Sequence, residues 1–353
     1  MHEATAEIVG PGVGTGAHPG TGRRLNLALV VPVFDDFVAF VQLCREIDVL
    51  VAAWSADLSV IAVDDGSLLS ADAVGFDPPL ANIKLVRLTR LLSNLGHQRA
   101  IAIGLLEAAH DGGFDAVLVA DSDGEDRPVD MGRLIAEHRA CADAIVVARR
   151  SKRSEGLRFR AFYAIYKTMF RVCTGKKIDF GNFALLPKSA LIRLVNMPET
   201  WNHLAAAILR SRLPLRSVGC HRGTRYAGAS SMNLVSLLIH GLSAVSVFSD
   251  LVFARMLVAS CAITVFAVVM ATTATVIRLS SNLAIPGWAT SVVGISGIIL
   301  LQAVMFSVVA SLTMLRSRSA VAFVPRVHAQ VFIGERLTLF DAAHVLEAAA
   351  TRV

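Results

Sequence analysis

Charged side chains are scarce in this chain of 353 residues. Asp, Glu, Lys and Arg together make up 18% of the sequence, whereas hydrophobic residues make up 54%. The mean hydropathy of +0.58 is too high for an ordinary soluble protein. This composition argues against a uniformly soluble globular chain and favours a membrane protein with a large domain outside the bilayer.

Cysteine pairs at metal-binding spacing are also missing. The five cysteines are scattered along the chain at Cys44, Cys141, Cys173, Cys220 and Cys261. A disulfide framework or a zinc site is therefore not expected, and reduced thiols are typical of the cytoplasm. Residues 1–24 are rich in glycine and lack the apolar stretch of a signal peptide, so we expect them to form a disordered leader.

Two common nucleotide-binding motifs are absent. Neither G-x-G-x-x-G after a strand nor G-x-x-x-x-G-K-[ST] occurs, which argues against the usual dinucleotide and P-loop sites. The net charge of +6 favours an anionic partner. Because no nucleic-acid-binding motif is present, we predict no nucleic acid partner, and an anionic lipid surface or a phosphorylated substrate instead.

Long uncharged runs lie near the C-terminus. Residues 256–277 contain no charge and would extend about 33 Å as a helix, which is enough to cross a bilayer. A second uncharged run occupies residues 286–315, and its portion 290–315 is the second predicted span. The runs predict a transmembrane hairpin over residues 251–315; two buried core helices are the alternative.

Basic residues predict the orientation of this hairpin. The connection between the two runs holds Arg278, whereas Arg316, Arg318 and Arg326 follow the second run. By the positive-inside rule, residues 316–353 form a cytoplasmic tail. A two-helix hairpin in the cell membrane then leaves the N-terminal domain and both termini in the cytoplasm.

The segment just before the hairpin, residues 232–250, has an amphipathic pattern. Its apolar side chains share one helical face at Leu234, Val235, Leu238, Leu242 and Val245. The polar stripe on the other face consists of Asn233, Ser236, His240 and Ser243. This pattern predicts a helix lying in the membrane interface, with a helix packed on the preceding domain as the alternative.

Residues 25–150 alternate between apolar strands and helical patterns. The predicted strands are LNLALVVPV, LSVIAV, IKLVRL, AVLVA and DAIVVA, and the predicted helices start at Phe37 and His97. Apolar strands with helical crossovers predict an α/β domain, with a mostly parallel sheet covered by helices on both faces. We place this domain at residues 25–231.

Carboxylates follow two of these strands. Asp64 and Asp65 come after the second strand, and Asp121 and Asp123 come after the fourth. Ligands of parallel sheets bind at the carboxyl ends of the strands. A solvated acidic loop is the simpler explanation of the second cluster. However, carboxylates repel a phosphate unless a cation lies between them, so this placement predicts Mg²⁺ or Mn²⁺ at Asp121 and Asp123.

Five short motifs carry a resemblance to a known family. They are VVPVFDD, VDDGS, NLGHQRAIAIGL, DSDGEDRP and RYAGASS, in that order. Together they resemble the family 2 glycosyltransferases with the GT-A fold, over roughly residues 25–315. More narrowly, the chain is similar to the polyprenyl-phosphate branch, the relatives of dolichyl-phosphate mannose synthase that carry two C-terminal membrane helices. The resemblance implies inverting, metal-dependent sugar transfer from a nucleotide diphosphate sugar to a polyprenyl phosphate.

The resemblance also implies roles for individual residues. Asp123 and Arg225 are the implied catalytic residues, and Asp121 and Asp123 the implied metal ligands. Acceptor-phosphate binding is implied for Arg225, Ser230 and Glu125, with a metal contact as the alternative role of Glu125. The implied nucleotide-sugar-binding residues are Pro32, Val33, Asp35, Asp64, Asp65, Asn94, His97 and Asp121.

The sequence departs from the family pattern at a few positions. Asn182 and Ala184 replace an acidic or hydroxyl residue and an arginine in the family's segment, and Ser231 and Met232 replace a Lys-Tyr pair. These departures bear on the sugar and acceptor contacts more than on the reaction class. The Q-x-x-R-W signature of processive synthases is absent, so we do not expect chain elongation.

The acceptor and the activity leave alternatives open. A phosphate monoester, with a second pKa near 6, is already a largely deprotonated nucleophile at neutral pH. A lipid or glycan hydroxyl would instead need a general base, for which Asp126 and Asp179 are candidates. A catalytically silent nucleotide-sugar-binding membrane scaffold is a further alternative, and a sensor or transporter component a weaker one. A homo-oligomer is compatible with the sequence.

Overall fold

The computed structural model describes residues 23–68, 74–150, 167–226, 234–280, 287–319 and 322–344. In this part of the chain, eight strands form one sheet in the order β7-β5-β6-β4-β1-β2-β3-β8. The strands are β1 Leu25–Val33, β2 Ala56–Asp64, β3 Ile83–Leu91, β4 Ala116–Val119, β5 Ile145–Arg150, β6 Ala184–Pro187, β7 Leu215–Cys220 and β8 Ile333–Asp341.

The longer helices lie between these strands and after them. They are α1 Phe37–Val51, α2 His97–Asp111, α3 Pro128–Ala140, α4 Lys188–Val195, α5 Leu204–Ser211, α6 Leu234–Ser246, α7 Ser249–Ser280 and α8 Trp288–Ser319. A short helix, α9 Pro325–His328, precedes β8.

Parallel strands form the centre of the sheet, as their continuous apolar sequences predict. β1 pairs in parallel with β2 over its whole length, so that Val33 lies opposite Asp64. It also pairs in parallel with β4, where Val30 lies opposite Val119. This register places the carboxyl ends of β1, β2 and β4 at one edge of the sheet. The predicted mostly parallel sheet is confirmed, with β6 and β8 as antiparallel members.

Helices cover both faces of the sheet. Alternate residues of β1 point to opposite faces, and because they are apolar on both, each face must be covered. Leu27 and Leu29 of β1 pack in one buried cluster with residues of α1 and α3, such as Phe40. Ala28 and Val30 pack in the other with residues of α2, α4 and α5. Two apolar layers therefore hold the carboxyl edge of the sheet rigid.

The two C-terminal helices, α7 and α8, pack against each other along a seam of small residues. On α7 the buried residues are spaced by seven, and so are those on α8. Small side chains at this heptad spacing let two helices approach closely. The seam consists of Ser260, Ala267 and Ala274 on α7 and of Ala289, Ser296, Ala303 and Ala310 on α8.

Both helices are long and apolar enough to cross a membrane. Ser249–Ser280 has 32 residues and Trp288–Arg316 has 29, and only 11% of the most apolar stretch of each is buried in the protein. The predicted hairpin of apolar helices is confirmed, although both helices extend beyond the predicted limits of 256–277 and 290–315. Ser260 Oγ donates a hydrogen bond of 2.6 Å to Ala303 O across the seam.

Helix α6 packs on the sheet domain with its small residues and exposes an apolar face. Ala244 is completely buried, in a cluster with Ala205 and Ala206 of α5. Leu238, Ile239 and Leu242 are about half exposed. The helix thus shares features of both interpretations of the sequence, since it contacts the domain and also presents apolar side chains outward.

The residues after α8 return to the sheet domain. β8 pairs antiparallel with β3, where Phe340 lies opposite Val86. Arg336 of β8 donates hydrogen bonds of 2.7 and 3.0 Å to the buried carboxylate of Glu107 on α2. Residues 316–353 were predicted only as a cytoplasmic tail. Part of this segment, β8, supplies an edge strand of the sheet.

Candidate active site

The acidic loop after β4 forms the centre of the site. Ala120 continues the strand by donating its backbone N–H to Val30 O, and the chain then turns. The buried carboxylate of Asp126 accepts the backbone N–H of Asp121 at 3.1 Å and so closes the loop. Gly124 has a φ of +84°, which favours glycine. This turn places Asp121 and Asp123 together at the carboxyl edge of the sheet.

The segment 221–226 runs alongside this acidic loop. Gly223 donates its backbone N–H to Glu125 O at 2.9 Å, and Tyr226 donates to Asp123 O at 3.0 Å. A side chain at Gly223 would run into the carbonyl of Gly124, and one at Gly124 would meet the ring of Tyr226. The two glycines thus allow the backbones to approach closely. The sequence motifs DSDGED and HRGTRY, about a hundred residues apart, form one unit.

Two arginines of this segment bind the acidic loop. Arg225 Nη2 lies 2.5 Å from Asp123 Oδ2, and Arg225 Nε lies 3.1 Å from Glu125 Oε1. Arg222 donates to both oxygens of Glu125, at 2.6 and 2.9 Å. The structure therefore brings three predicted site residues, Asp123, Glu125 and Arg225, into direct contact. Sequence reasoning missed Arg222, although the spacing R-x-x-R in HRGTRY was a signal for a paired cationic site.

The charges of these groups influence one another. Burial raises the pKa of Asp123, and the nearby carboxylates of Asp121 and Glu125 raise it further against the effect of Arg225. Burial alone would lower the pKa of Arg225, but Asp123 and Glu125 outweigh it and the net shift is upward. A cation is therefore favoured beside this loop, because it offsets the repulsion between the carboxylates.

His97 reaches the loop from the first position of α2. Its Nε2 lies 3.2 Å from Asp121 Oδ1 and 3.2 Å from the amide nitrogen of Asn182. Burial lowers the pKa of His97, but Asp121, with Asp126 and Asp65, outweighs it and raises the pKa overall. The side chain keeps 44% of its surface exposed. The structure thus places a predicted site histidine, and the family departure Asn182, beside Asp121.

Carboxylates at the ends of β1 and β2 shape the loops next to this centre. Asp65 accepts the backbone N–H groups of Leu95 at 2.7 Å and Gly96 at 2.9 Å, which fixes the chain just before His97. Burial raises the pKa of Asp65 despite these hydrogen bonds. Asp64 is completely buried and accepts from Ser67 N at 2.9 Å.

The remaining predicted nucleotide-binding residues surround these loops. Asp35 accepts the backbone N–H of Leu68 at 2.9 Å. A side chain at Gly66, between Asp65 and Ser67, would lie 2.7 Å from the backbone nitrogen of Asn94. Pro32 and Val33 end β1 at the same edge. The eight predicted residues of this group therefore lie on loops, at strand ends or, for His97, at the first position of α2, near the carboxyl edge of the sheet.

Four of the residues singled out in the sequence contribute nothing that can be described at the site. Ser230 lies outside the described residues, and so do the departures Ser231 and Met232. Ala184 is completely buried in β6, within the core of the sheet.

The oxygen donors at the loop fit a hard divalent cation. In the described part of the chain, no three His, Cys, Asp or Glu side chains are grouped so that they could hold a metal alone. Mg²⁺ and Mn²⁺, however, are commonly bound by one or two carboxylates together with substrate phosphates. Asp121 and Asp123 supply such a pair, so the donor set suits a cation that a diphosphate helps to bind.

Residues 29–195 match the model of the family described as Glycosyl transferase family 2. The chain is 28% identical over 239 residues to a bactoprenol glucosyl transferase of Shigella phage SfX, covering 64% of this chain and 73% of that protein. It is also 28% identical over 160 residues to an undecaprenyl-phosphate 4-deoxy-4-formamido-L-arabinose transferase of Erwinia tasmaniensis, covering 44% of this chain and 47% of that protein.

A more distant likeness exists to a crystal structure of glucosyl-3-phosphoglycerate synthase from Mycobacterium tuberculosis, solved with Mn²⁺, UDP-glucose and phosphoglyceric acid. It covers 66% of this chain and 80% of that chain, with 16% identity and a TM-score of 0.43.

Proposed function

Because residues 29–195 match the model of Glycosyl transferase family 2, we propose that this protein is an enzyme that transfers a sugar from a nucleotide diphosphate sugar to a membrane polyprenyl phosphate. One relative is named as a bactoprenol glucosyl transferase, and another as an undecaprenyl-phosphate 4-deoxy-4-formamido-L-arabinose transferase. The fold presents the acidic loop at the edge of the sheet where nucleotide ligands bind.

The observation that carries this proposal is the contact between the acidic loop and the two arginines. Arg222 and Arg225 contact the acidic loop, and they precede helix α6, which leads into the apolar hairpin. A guanidinium binds phosphate oxygens bidentately. An acceptor phosphate that arrives from the membrane would meet these arginines next to the group that holds the diphosphate.

Asp123 belongs both to the proposed site for the metal and diphosphate and to the proposed site for the acceptor phosphate. The same carboxylate that would bind the metal accepts a hydrogen bond from Arg225 at 2.5 Å. Binding of a cation and diphosphate at Asp123 would compete with this ion pair and leave Arg225 more available to an acceptor phosphate. Donor binding and acceptor binding would then be coupled through one side chain.

A phosphate acceptor suits the surroundings better than a hydroxyl. The two candidate bases for a hydroxyl are already engaged: Asp126 is buried and accepts the N–H of Asp121, and Asp179 lies 2.8 Å from Arg149 Nη2. A phosphate monoester is largely deprotonated at neutral pH and needs no base. In the proposed single displacement, an acceptor oxygen bonds to the anomeric carbon as the bond to the diphosphate breaks, which inverts the configuration.

The metal would supply charge neutralisation for the diphosphate leaving group. The chain's own side chains would do the rest. Asp121 and Asp123 would hold the cation, His97 would face the phosphates from the start of α2, and Arg222 and Arg225 would orient the acceptor. With the hairpin oriented as its basic residues predict, all of these groups would lie in the cytoplasm, where nucleotide sugars occur.

A transfer assay tests this proposal. Purified protein with Mn²⁺ or Mg²⁺ is incubated with a panel of radiolabelled nucleotide sugars and undecaprenyl phosphate, and the label is measured in the organic phase. We expect one donor to give lipid-linked label, and the D123N variant to give none, because a hard cation needs the carboxylate charge that the amide lacks. A D123N protein that folds and transfers normally would contradict the metal assignment. No labelled lipid with any donor would contradict the function.

A further inference from the structure

Two histidines connect the lipid-side helix α6 to the sheet domain. His240 of α6 lies with its Nε2 at 3.1 Å from Nε2 of His203, and their rings are 4.5 Å apart. His203 is buried at the start of α5. On the same helix, Ile239 is more than half exposed, so α6 presents apolar side chains outward and His240 toward the domain.

Hydrogen bonding fixes which nitrogen of each ring carries its proton. The backbone N–H of Ala206 donates to Nδ1 of His203 at 3.3 Å, so Nδ1 of His203 carries no proton. Burial and the neighbouring His240 lower the pKa of His203 to about 3, so this ring is neutral and is protonated on Nε2. That Nε2–H can only donate to Nε2 of His240.

His240 is thereby left with a single arrangement. Its Nε2 accepts from His203, and burial, with the nearby His97, lowers the pKa of His240. The neutral ring must therefore carry its proton on Nδ1, where it is a hydrogen-bond donor. Leu204, next to His203, donates its backbone N–H to the side-chain oxygen of Gln98 at 2.8 Å, and Gln98 follows His97, which contacts Asp121. This contact places the histidine pair near the acidic loop.

We propose that His240 is an acceptor-positioning residue, whose Nδ1–H donates to the phosphate of the lipid acceptor. The geometry supports this role in two ways. His240 belongs to α6, which has an exposed apolar face, and it contacts His203, which lies near the acidic loop. His203 acts as the supporting group that fixes the tautomer. This inference rests on the proposed function and adds to it a residue that the sequence pattern placed only in a polar stripe.

Asparagine and glutamine variants separate the two nitrogens of the ring. The amide nitrogen of asparagine can take the place of Nδ1, whereas that of glutamine lies nearer to the place of Nε2. We expect H240Q and H240F to raise the KM for undecaprenyl phosphate about tenfold, the scale of one hydrogen bond to a charged group. H240N should stay close to the wild-type value, and the KM for the nucleotide sugar should change in none of them.

The matched control is S243A, one turn further along α6, where the hydroxyl donates only to the helix carbonyl of Ile239. It should leave both KM values unchanged. Equal acceptor KM values in all variants, or an H240N variant as impaired as H240Q, would overturn the inference while the transfer itself stands. A wild-type protein that transfers no sugar to the lipid phosphate would instead overturn the proposed function, and this inference with it.

Discussion

Individual side chains in the site are held by partners that lie far away in the sequence. Glu125 receives hydrogen bonds from Arg222 and Arg225, about a hundred residues further along the chain. Both carboxylate oxygens of Asp65 accept backbone N–H groups of the two residues just before His97. These contacts orient the side chains of the proposed site before any substrate arrives, which would lower the cost of arranging them during the proposed transfer.

The buried His203 predicts how stability responds to pH. Its pKa in the folded protein is lowered from 6.5 to about 3, so the unfolded chain binds a proton that the folded chain does not. The free energy of unfolding therefore decreases as the pH falls below 6.5. At pH 5, His203 alone should lower it by about 2 kcal/mol. Denaturant unfolding in detergent at pH 7 and pH 5 measures the loss.

The H203N variant is the comparison for this measurement. Asparagine can still accept the N–H of Ala206 as a helix cap but does not titrate. The loss of stability between pH 7 and pH 5 should be smaller in H203N by that amount. The same loss in both proteins would show that His203 is not the group responsible.

The residue types and their spacing predicted where the side chains of the acidic loop lie, but not which side chains contact them. DSDGED follows a buried strand, and its position at the carboxyl edge follows from the parallel sheet. The close approach of HRGTRY depends on Gly124 and Gly223 facing each other, which is a property of the fold and has no local signal. The same holds for His203 and His240, which are 37 residues apart.

Among the secondary-structure elements, those with a strong apolar period were predicted well. β1 begins and ends where the sequence pattern placed it, and α1 begins at the predicted Phe37. The edge strand β8 was missed because its sequence, IGERLTLFD, mixes charged and apolar residues and leaves most of them exposed or half-buried. An edge strand needs an apolar contact on only one side, and this gives a weak pattern.

Because β8 follows the hairpin, the tail is expected to stabilise the catalytic domain. Arg336 pairs with Glu107, whose side chain is only 7% exposed. The R336A variant would leave this carboxylate buried without its partner, which should cost roughly 1–3 kcal/mol. Thermal unfolding in detergent measures the effect.

The control for this prediction is R326A in the preceding short helix, where the arginine is exposed. It should change the stability by less than about 0.5 kcal/mol. If R336A were as stable as R326A, the ion pair would contribute nothing to docking of the tail. A protein truncated before the hairpin would lose β8 as well as its membrane helices, so it is a poor test of either.

In the molecule as a whole, the chain leaves the sheet domain through α6 and α7 and returns through α8 and β8. Because β8 pairs with β3, both ends of the hairpin lie on the side of the catalytic domain. This connectivity is that of a hairpin with both ends on one side, and the cytoplasmic orientation stays a prediction from the basic residues. Exposed apolar side chains lie on all three helices α6, α7 and α8, which follow Arg222 and Arg225 in the chain.

The central claim is that the acceptor is a lipid phosphate bound by the arginines beside the acidic loop. Its most direct measurement compares sugar transfer to undecaprenyl phosphate and to the matched alcohol, undecaprenol, by the wild type, R225K and R225A, with R216K on the exposed strand β7 as the control. We expect the wild type and R216K to use the phosphate and not the alcohol. R225K should be slower by about ten- to a hundredfold and R225A slower still, which corresponds to roughly 1.5–3 kcal/mol for hydrogen bonds to a charged group, with nucleotide binding little changed. Preference of the wild type for the alcohol, or full activity of both Arg225 variants on the phosphate, would contradict the claim.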